Sequence, residues 1–191
     1  SALLKGAGFN GAGAWSDVPA LRAAPHRLVY TLIKGFAVGF AKTKSLNRPG
    51  VGHSGFLGDS IPVFNDDFPA YCAEHAKDLA EPKDDPWLRG IFSDNARLPP
   101  DLSKYLALDA NDPAQKPNGE AARAFLTRKT GKADPGPKDV TPALKSEFMG
   151  VVFGRYFEVV SRAIKAVDAK HLYIGSRFHA GEKGNPHVWR E

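Results

Sequence analysis

Short apolar runs alternate along this chain with longer stretches in which hydrophobic residues recur at helical spacing. The four runs lie at residues 8–13, 28–35, 88–93 and 171–176. Each is short and apolar, as buried parallel strands are, and each is followed by polar or glycine-rich residues. The pattern therefore predicts four strands of a parallel sheet.

The stretches between these runs predict helices. An N-cap at Ser16 or Asp17 with an early proline at Pro19 predicts a helix over residues 20–24. Apolar residues share one helical face over residues 68–79. The longest helix is expected over residues 141–167, where Thr141 and a following proline form a clear start.

Strands that alternate with helices indicate a parallel α/β fold. An open dinucleotide-binding sheet is disfavoured, because no Gly-x-Gly-x-x-Gly joins a strand to a helix. A complete (β/α)8 TIM barrel usually needs about 250 residues, and this chain has 191. We therefore expect one domain over residues 1–191 that forms about half of a barrel, with the chain being a piece of something longer.

Two long connections leave from the carboxyl ends of predicted strands. They cover residues 41–67, rich in glycine and asparagine, and residues 98–142, rich in proline, with one short helix expected at 119–127. Loops of this length are uncommon in a compact domain unless they bind something. Barrel enzymes build their sites at this end of the strands.

The amino-acid composition limits which classes of partner this protein can have. Hydrophobic residues make up 42% of the chain, which is enough to bury a core. The formal net charge is +5, but the basic residues are scattered, so we expect no nucleic-acid partner. No apolar run is long enough to span a membrane, and no signal peptide is visible. The single cysteine, Cys72, falls in an apolar-periodic stretch and is predicted to be a buried thiol.

Four segments carry a family resemblance. The run GFNGAGAWSD (8–17) is similar to the "G-F-N-T-x-G-x-W-S-D" segment of agarase-like glycoside hydrolases, and VFNDDF (63–68) to their "V-F-D-P-x-F" helix entry. DPW (85–87) with GIFSDN (90–95) resembles their "D-P-x-x-x-G-Y-F-x-D-N-E" strand, and LYIGSRF (172–178) their "L-Y-L-G-x-R-F" strand. The matches keep the same order and cover most of the chain.

The resemblance, closest to family 50 β-agarases, implies a retaining TIM-barrel glycosidase whose second to fifth strands are present here. Such enzymes use two carboxyl groups about 5–5.5 Å apart, one as proton donor and one as nucleophile. By this mapping the proton donor's position holds Ala96, next to Asn95, and the nucleophile lies beyond Glu191. An engineered change, a natural loss of activity and a misplaced alignment all remain open as explanations of Ala96.

The resemblance also implies substrate-binding residues at the ends of the strands. Asn95 is expected to bond the sugar 2-hydroxyl, and Asp94 to orient Arg177 or a sugar hydroxyl, with a purely structural role equally open for Asp94. The further candidates are Asn10, Trp15 and Asp17 after the first run, His53 in the first long loop, and Arg177 and His179 after the last run. Trp15 can stack on a pyranose ring or pack in the core.

The implied function is cleavage of a β-linked galactan-type polysaccharide without a cofactor. No metal site is predicted, because no group of histidines, cysteines or carboxylates has ligand spacing. A carbohydrate-binding protein that does not cleave its ligand, and a half-barrel completed by a partner segment, are the alternatives. The resemblance also implies a secreted or periplasmic protein.

Overall fold

A parallel sheet of four strands forms the centre of the fold. The computed structural model describes residues 2–48, 55–95, 100–178 and 184–189. The strands of the sheet are β1 (Gly11–Ala12), β2 (Val29–Lys34), β5 (Leu88–Asn95) and β6 (Leu172–Arg177), and all adjacent pairs are parallel. A separate antiparallel pair consists of β3 (Asn47–Arg48) and β4 (Gly55–Phe56). The four predicted strands are therefore all present, with β1 shorter than expected.

The strands of the sheet lie side by side in the order in which they occur along the chain, β1-β2-β5-β6. A doubly wound sheet instead reverses its strand order at a switch point, where its ligand binds. The four-stranded sheet has no such reversal. Each strand is added to the same edge as the one before it.

Seven α-helices occur in the described residues. They are α1 (Ala2–Gly6), α2 (Val18–Ala23), α3 (Phe36–Thr43), α4 (Phe68–His75), α5 (Leu102–Leu106), α6 (Lys116–Thr130) and α7 (Pro142–Val167). The start of α7 agrees with the sequence, because the Thr141 hydroxyl accepts a hydrogen bond from the Leu144 N–H. None of these helices is long and apolar enough to cross a membrane.

The long connections contain more regular structure than the sequence predicts. The helix expected over 68–79 is α-helical only to His75 and continues as a 3-10 helix over Ala76–Ala80. The second long connection holds both α5 and α6, and α6 extends the expected short helix at both ends. α6 ends at Gly131, whose φ of 70° is in the left-handed region that glycine tolerates.

The main core lies between one face of the sheet and helices α3, α4 and α7. Its largest buried residues include Phe36 and Phe40 of α3, Phe68 of α4, and Phe148 and Phe153 of α7. Burial of these aromatic rings dominates the energetics of such a core. A smaller cluster under α2 consists of Leu21, Leu28, Tyr30 and Leu88. Cys72 is fully buried in the main core, and burial raises the pKa of its thiol to about 12, which agrees with the predicted inert thiol.

The amino end of β5 is tied to β2 by a partly buried carboxylate. Asp85 accepts hydrogen bonds from the Arg27 guanidinium at 2.7 Å and from the Tyr30 hydroxyl at 3.0 Å. Its other oxygen accepts the Trp87 N–H at 3.0 Å. Burial alone raises the pKa of Asp85, but these bonds and the arginine charge outweigh burial and hold it below its ordinary value. This end of the sheet is therefore held by a charged network.

Candidate active site

The carboxyl ends of the parallel strands bring three sequence-predicted residues, Trp15, Asn95 and Arg177, to one end of the sheet. Trp15 follows β1, Gly35 follows β2, and Asn95 and Arg177 are the last residues of β5 and β6. Parallel strands end at the same edge, so residues far apart in sequence meet there. This is the end at which barrel and open α/β enzymes bind their ligands.

Trp15 and Arg177 meet across this end of the sheet. The Arg177 guanidinium carbon lies 5.9 Å from the centroid of the Trp15 ring, within the range of a cation–π contact. The two residues belong to opposite edges of the sheet, because β1 and β6 are its outer strands. The contact therefore spans the full width of the strand ends.

Trp15 is held in an unusual position for a large aromatic residue. Its side chain is exposed, with a relative accessibility of 68%, and its φ of 70° lies in the left-handed region. A bulky residue in that region costs free energy and is typical of ligand-binding and catalytic sites. Trp15 is thus an exposed ring at the strand ends and is not packed in the core of the described residues.

Asn95 lies next to Arg177 in the sheet. The two residues are partners in the ladder between β5 and β6. The backbone of Asn95 is described, but its side chain is not, so its predicted bond to a sugar hydroxyl stays a prediction. The ladder nevertheless places Asn95 beside Arg177, whose guanidinium contacts the Trp15 ring.

Asp94 faces the helices. One carboxylate oxygen accepts the Phe36 and Ala37 N–H groups and the Tyr156 hydroxyl, at 2.8, 2.8 and 2.7 Å. The other accepts the Val38 N–H at 3.1 Å. The residue is only 6% exposed, and all four bonds come from α3 and α7. The side chain therefore faces the interior, which favours the structural role of Asp94 over its predicted bond to Arg177 or a sugar hydroxyl.

Burial is also the main influence on the charge of this group. It raises the pKa of Asp94, while the bonds from Tyr156 and from the backbone of α3 act in the opposite direction. Burial likewise raises the pKa of the Tyr156 hydroxyl, and the neighbouring carboxylate adds to that rise. The pair is part of the interior, although it lies directly behind the strand ends.

Asp17 and Asn10 lie on either side of β1. Asp17 is the N-cap of α2, and its carboxylate accepts the Ala20 N–H at 3.0 Å, so its local role is to start that helix. Asn10 is exposed immediately before β1, so it lies at the amino end of that strand and not after it as expected. Three other predicted positions, His53, Ala96 and His179, lie outside the described residues.

Hydroxyl groups behind the strand ends were not predicted from the sequence. Tyr156 bonds Asp94, and the Ser93 hydroxyl lies 2.7 Å from that of Tyr173. Ser176 donates to the Ser93 carbonyl at 2.7 Å. Tyr156 lies on the apolar face of α7. A hydroxyl on such a face needs a buried hydrogen-bond partner, and this is the signal in the sequence that could have identified it.

The site has no metal-binding arrangement that the structure describes. Across residues 2–48, 55–95, 100–178 and 184–189, no group of three or more histidine, cysteine or carboxylate side chains is placed to hold an ion.

Solved structures similar to this chain include BpGH50 and two agarases. BpGH50 is 25% identical, with a TM-score of 0.77 over 98% of this chain and 42% of its own. An exo-beta-agarase and the agarase AgWH50C, at 22% and 21% identity and TM-scores of 0.58 and 0.61, share the fold over 92% and 96% of this chain.

This chain spans only 27% of each of those two agarases. No family model matches the sequence, and no curated protein matches it. Over nearly its whole length, the chain is similar in structure to part of the agarases of glycoside hydrolase family 50.

Proposed function

We propose that this chain is part of the catalytic domain of an agarase-like glycoside hydrolase that acts on a β-linked galactan. The observation that carries the proposal is the contact between Trp15 and Arg177 across the carboxyl ends of the strands. An exposed aromatic ring beside a guanidinium suits a pyranose, because the ring can stack on the apolar sugar face while the guanidinium donates to hydroxyls. The structural similarity to agarases supports the same substrate class.

The sheet is proposed to be the second to fifth strands of a (β/α)8 barrel. Its strands follow one another without reversal, as consecutive strands of a barrel wall do. On β6, Leu172 and Ile174 are 54% and 37% exposed. Exposed apolar side chains on a strand suit contact with further strands, so a segment that completes the barrel is the proposed partner. The coverage of 42% of BpGH50 is consistent with about half a barrel.

The proposed mechanism is a double displacement by two carboxyl groups. The proton donor belongs at position 96, which holds alanine, and the nucleophile belongs to the part of the barrel outside these 191 residues. Within the chain, Trp15 and Arg177 hold the sugar, and Asn95 bonds the 2-hydroxyl, an interaction that strengthens in the transition state. Without the proton donor, cleavage of an unactivated glycosidic bond is slowed by about 10²- to 10⁴-fold.

A second candidate function is sugar binding without cleavage. Ala96 favours it directly, since a methyl group cannot protonate a leaving oxygen. Both functions use the same ring and guanidinium, and they differ only in whether carboxyl groups complete the site. For either function, we propose a secreted or periplasmic location, where polysaccharides are encountered.

Binding tests the proposal in this chain without need of catalysis. We expect titration calorimetry with agaro-oligosaccharides to show binding, and Trp15→Ala to weaken it about tenfold or more, which corresponds to about 1.4 kcal/mol. Trp87→Ala is the matched control, because Trp87 lies at the amino end of β5 with the Arg27 guanidinium 6.0 Å from its ring. Equal weakening by both changes, or no binding of any galactan by the parent chain, contradicts the proposal.

A further inference from the structure

The carboxyl end of β5 contains one residue more than the strand beside it can pair. Ser93 pairs with Ser176 and Asn95 pairs with Arg177, so Asp94 is left as the extra residue of a bulge. Asp94 also has a φ of 42°, in the left-handed region. Bulges of this kind redirect side chains and are frequent next to active sites.

The helix that follows β2 lacks a cap of its own. The N-cap of α3 is Gly35, which has no side chain to accept the first N–H groups of the helix. Asp94 accepts three of them, from Phe36, Ala37 and Val38. The residue with the left-handed backbone in β5 therefore also supplies the carboxylate that caps the start of α3.

A third element closes this arrangement. Tyr156 of α7 is 2% exposed and donates its hydroxyl to Asp94 at 2.7 Å. Asp94 therefore joins β5, α3 and α7 at one point. Backbone strain of about 1–3 kcal/mol persists only where the surrounding structure enforces it, and these four bonds provide that enforcement.

We infer that Asp94 is a positioning residue: its carboxylate fixes the bulged end of β5 against α3 and α7 and thereby holds Asn95 opposite Arg177. The role of Asn95 in holding a sugar rests on the proposed function, whereas the bulge and its anchoring do not. Asp94 acts through Asn95 and Arg177 and does not contact the sugar itself. A small displacement of such groups costs binding and rate, because interactions at a site depend on position to within about 1 Å.

Asp94→Asn tests this role with little change in size. The amide replaces an acceptor by an NH2 group that faces N–H and hydroxyl donors, so the end of β5 loses its anchor. With every variant shown to be folded by circular dichroism at the working temperature, we expect Asp94→Asn to weaken binding of an agaro-hexasaccharide at least tenfold. Tyr156→Phe removes one of the four bonds to Asp94 and is expected to weaken binding of the hexasaccharide about threefold. This second variant tests the inference if Asp94→Asn does not fold.

Asp85→Asn is the matched control. Asp85 is also a multiply bonded carboxylate, but it is only partly buried and lies just before the amino end of the same strand. We expect Asp85→Asn to change the dissociation constant less than twofold. The inference is overturned if Asp94→Asn also stays within twofold of the parent, or if the two changes weaken binding equally, since a general loss of stability then explains both.

Amide hydrogen exchange separates this inference from the proposed function. If the parent chain binds no galactan, the proposed function fails, and exchange alone decides the anchoring role. We expect Asp94→Asn to accelerate exchange at Asn95 and Arg177 at least tenfold without affecting Leu88, and Asp85→Asn to do the reverse. Unchanged exchange at Asn95 and Arg177 in Asp94→Asn overturns the inference.

Discussion

Ala96 follows Asn95 directly, and an alanine has no proton to give to a leaving sugar oxygen. If the proposed mapping holds, Ala96→Glu in the protein with a complete barrel raises hydrolysis of the galactan by about 10²- to 10⁴-fold. The gain is expected to be much smaller on an aryl β-galactoside with a good leaving group, which needs no proton. Reducing-sugar release and aryl release measure the two rates.

Ala96→Gln is the control for this change, because glutamine has the size of glutamate without its acidic proton. A gain of the same size in Ala96→Gln means that the added volume, and not proton donation, is responsible. No gain in Ala96→Glu, with sugar binding intact, favours the carbohydrate-binding function over the hydrolase.

The positions of some site residues can be predicted from the sequence, and the side-chain directions of others cannot. The position of Trp15 and Arg177 at strand ends follows from apolar runs and the polar residues after them. The inward direction of Asp94 does not follow, because it depends on a bulge in β5 and on the free N–H groups of α3, which lies 56 to 58 residues away. Asp17 was predicted both near the site and near a helix start, and the structure uses its carboxylate for the helix.

Elements with strong periodicity were predicted closely, and short ones were not. For α7, Thr141 and the proline after it predict the start, and the observed helix, Pro142–Val167, ends where the expected range of 141–167 ends. α5 has only five residues between proline-rich segments, so no periodicity indicates it. Its burial comes from tertiary contacts, including the Tyr105 ring packed edge-on against that of Phe148.

The residues after β6 return onto α7, and Gly150 makes this possible. A Cβ atom at Gly150 would lie 2.8 Å from the His187 Cβ and 2.9 Å from its carbonyl oxygen. We therefore expect Gly150→Ala to displace the segment 184–189, although alanine is otherwise favoured in a helix by about 1 kcal/mol. Limited proteolysis measures the effect, because a protease cleaves this segment faster once it is displaced from α7.

Val188→Ala provides the comparison for Gly150→Ala. Val188 is 3% exposed, so its truncation weakens the same packing without a backbone clash. We expect faster proteolysis in Gly150→Ala than in Val188→Ala. If Gly150→Ala is instead as resistant as the parent and more stable to heat, the close approach of His187 does not constrain this helix.

At the scale of the whole molecule, the two ends of the sheet serve different purposes. The amino end is held by the bonds of Asp85, while the carboxyl end leaves the Trp15 ring and the Arg177 guanidinium free of such a network in the described residues. An exposed aromatic ring beside a guanidinium without such a network is suited to a ligand. The Asp94 carboxylate and the hydroxyls of Ser93 and Tyr173, which are bonded within the protein, lie behind this surface.

The stability of the fold is expected to fall below neutral pH because of His75. Burial and the nearby Lys34 lower the pKa of His75 below its ordinary 6.5, against the smaller opposing effects of Asp78 and of a hydrogen bond with Gly35. The unfolded chain therefore binds this proton at a higher pH than the folded chain does. Between the two pKa values the unfolded state holds more protons, so the free energy of unfolding decreases as the pH falls below about 6.5.

His75→Gln is expected to remove this part of the pH dependence. Urea unfolding at pH values from 8 to 5 measures it: the loss of stability below pH 6.5 is smaller in the variant than in the parent. His26→Gln is the control, since His26 is exposed and is not packed against aromatic rings as His75 is against Phe36 and Tyr71. An unchanged pH slope in His75→Gln contradicts the prediction, because a histidine kept neutral by burial must take up a proton on unfolding.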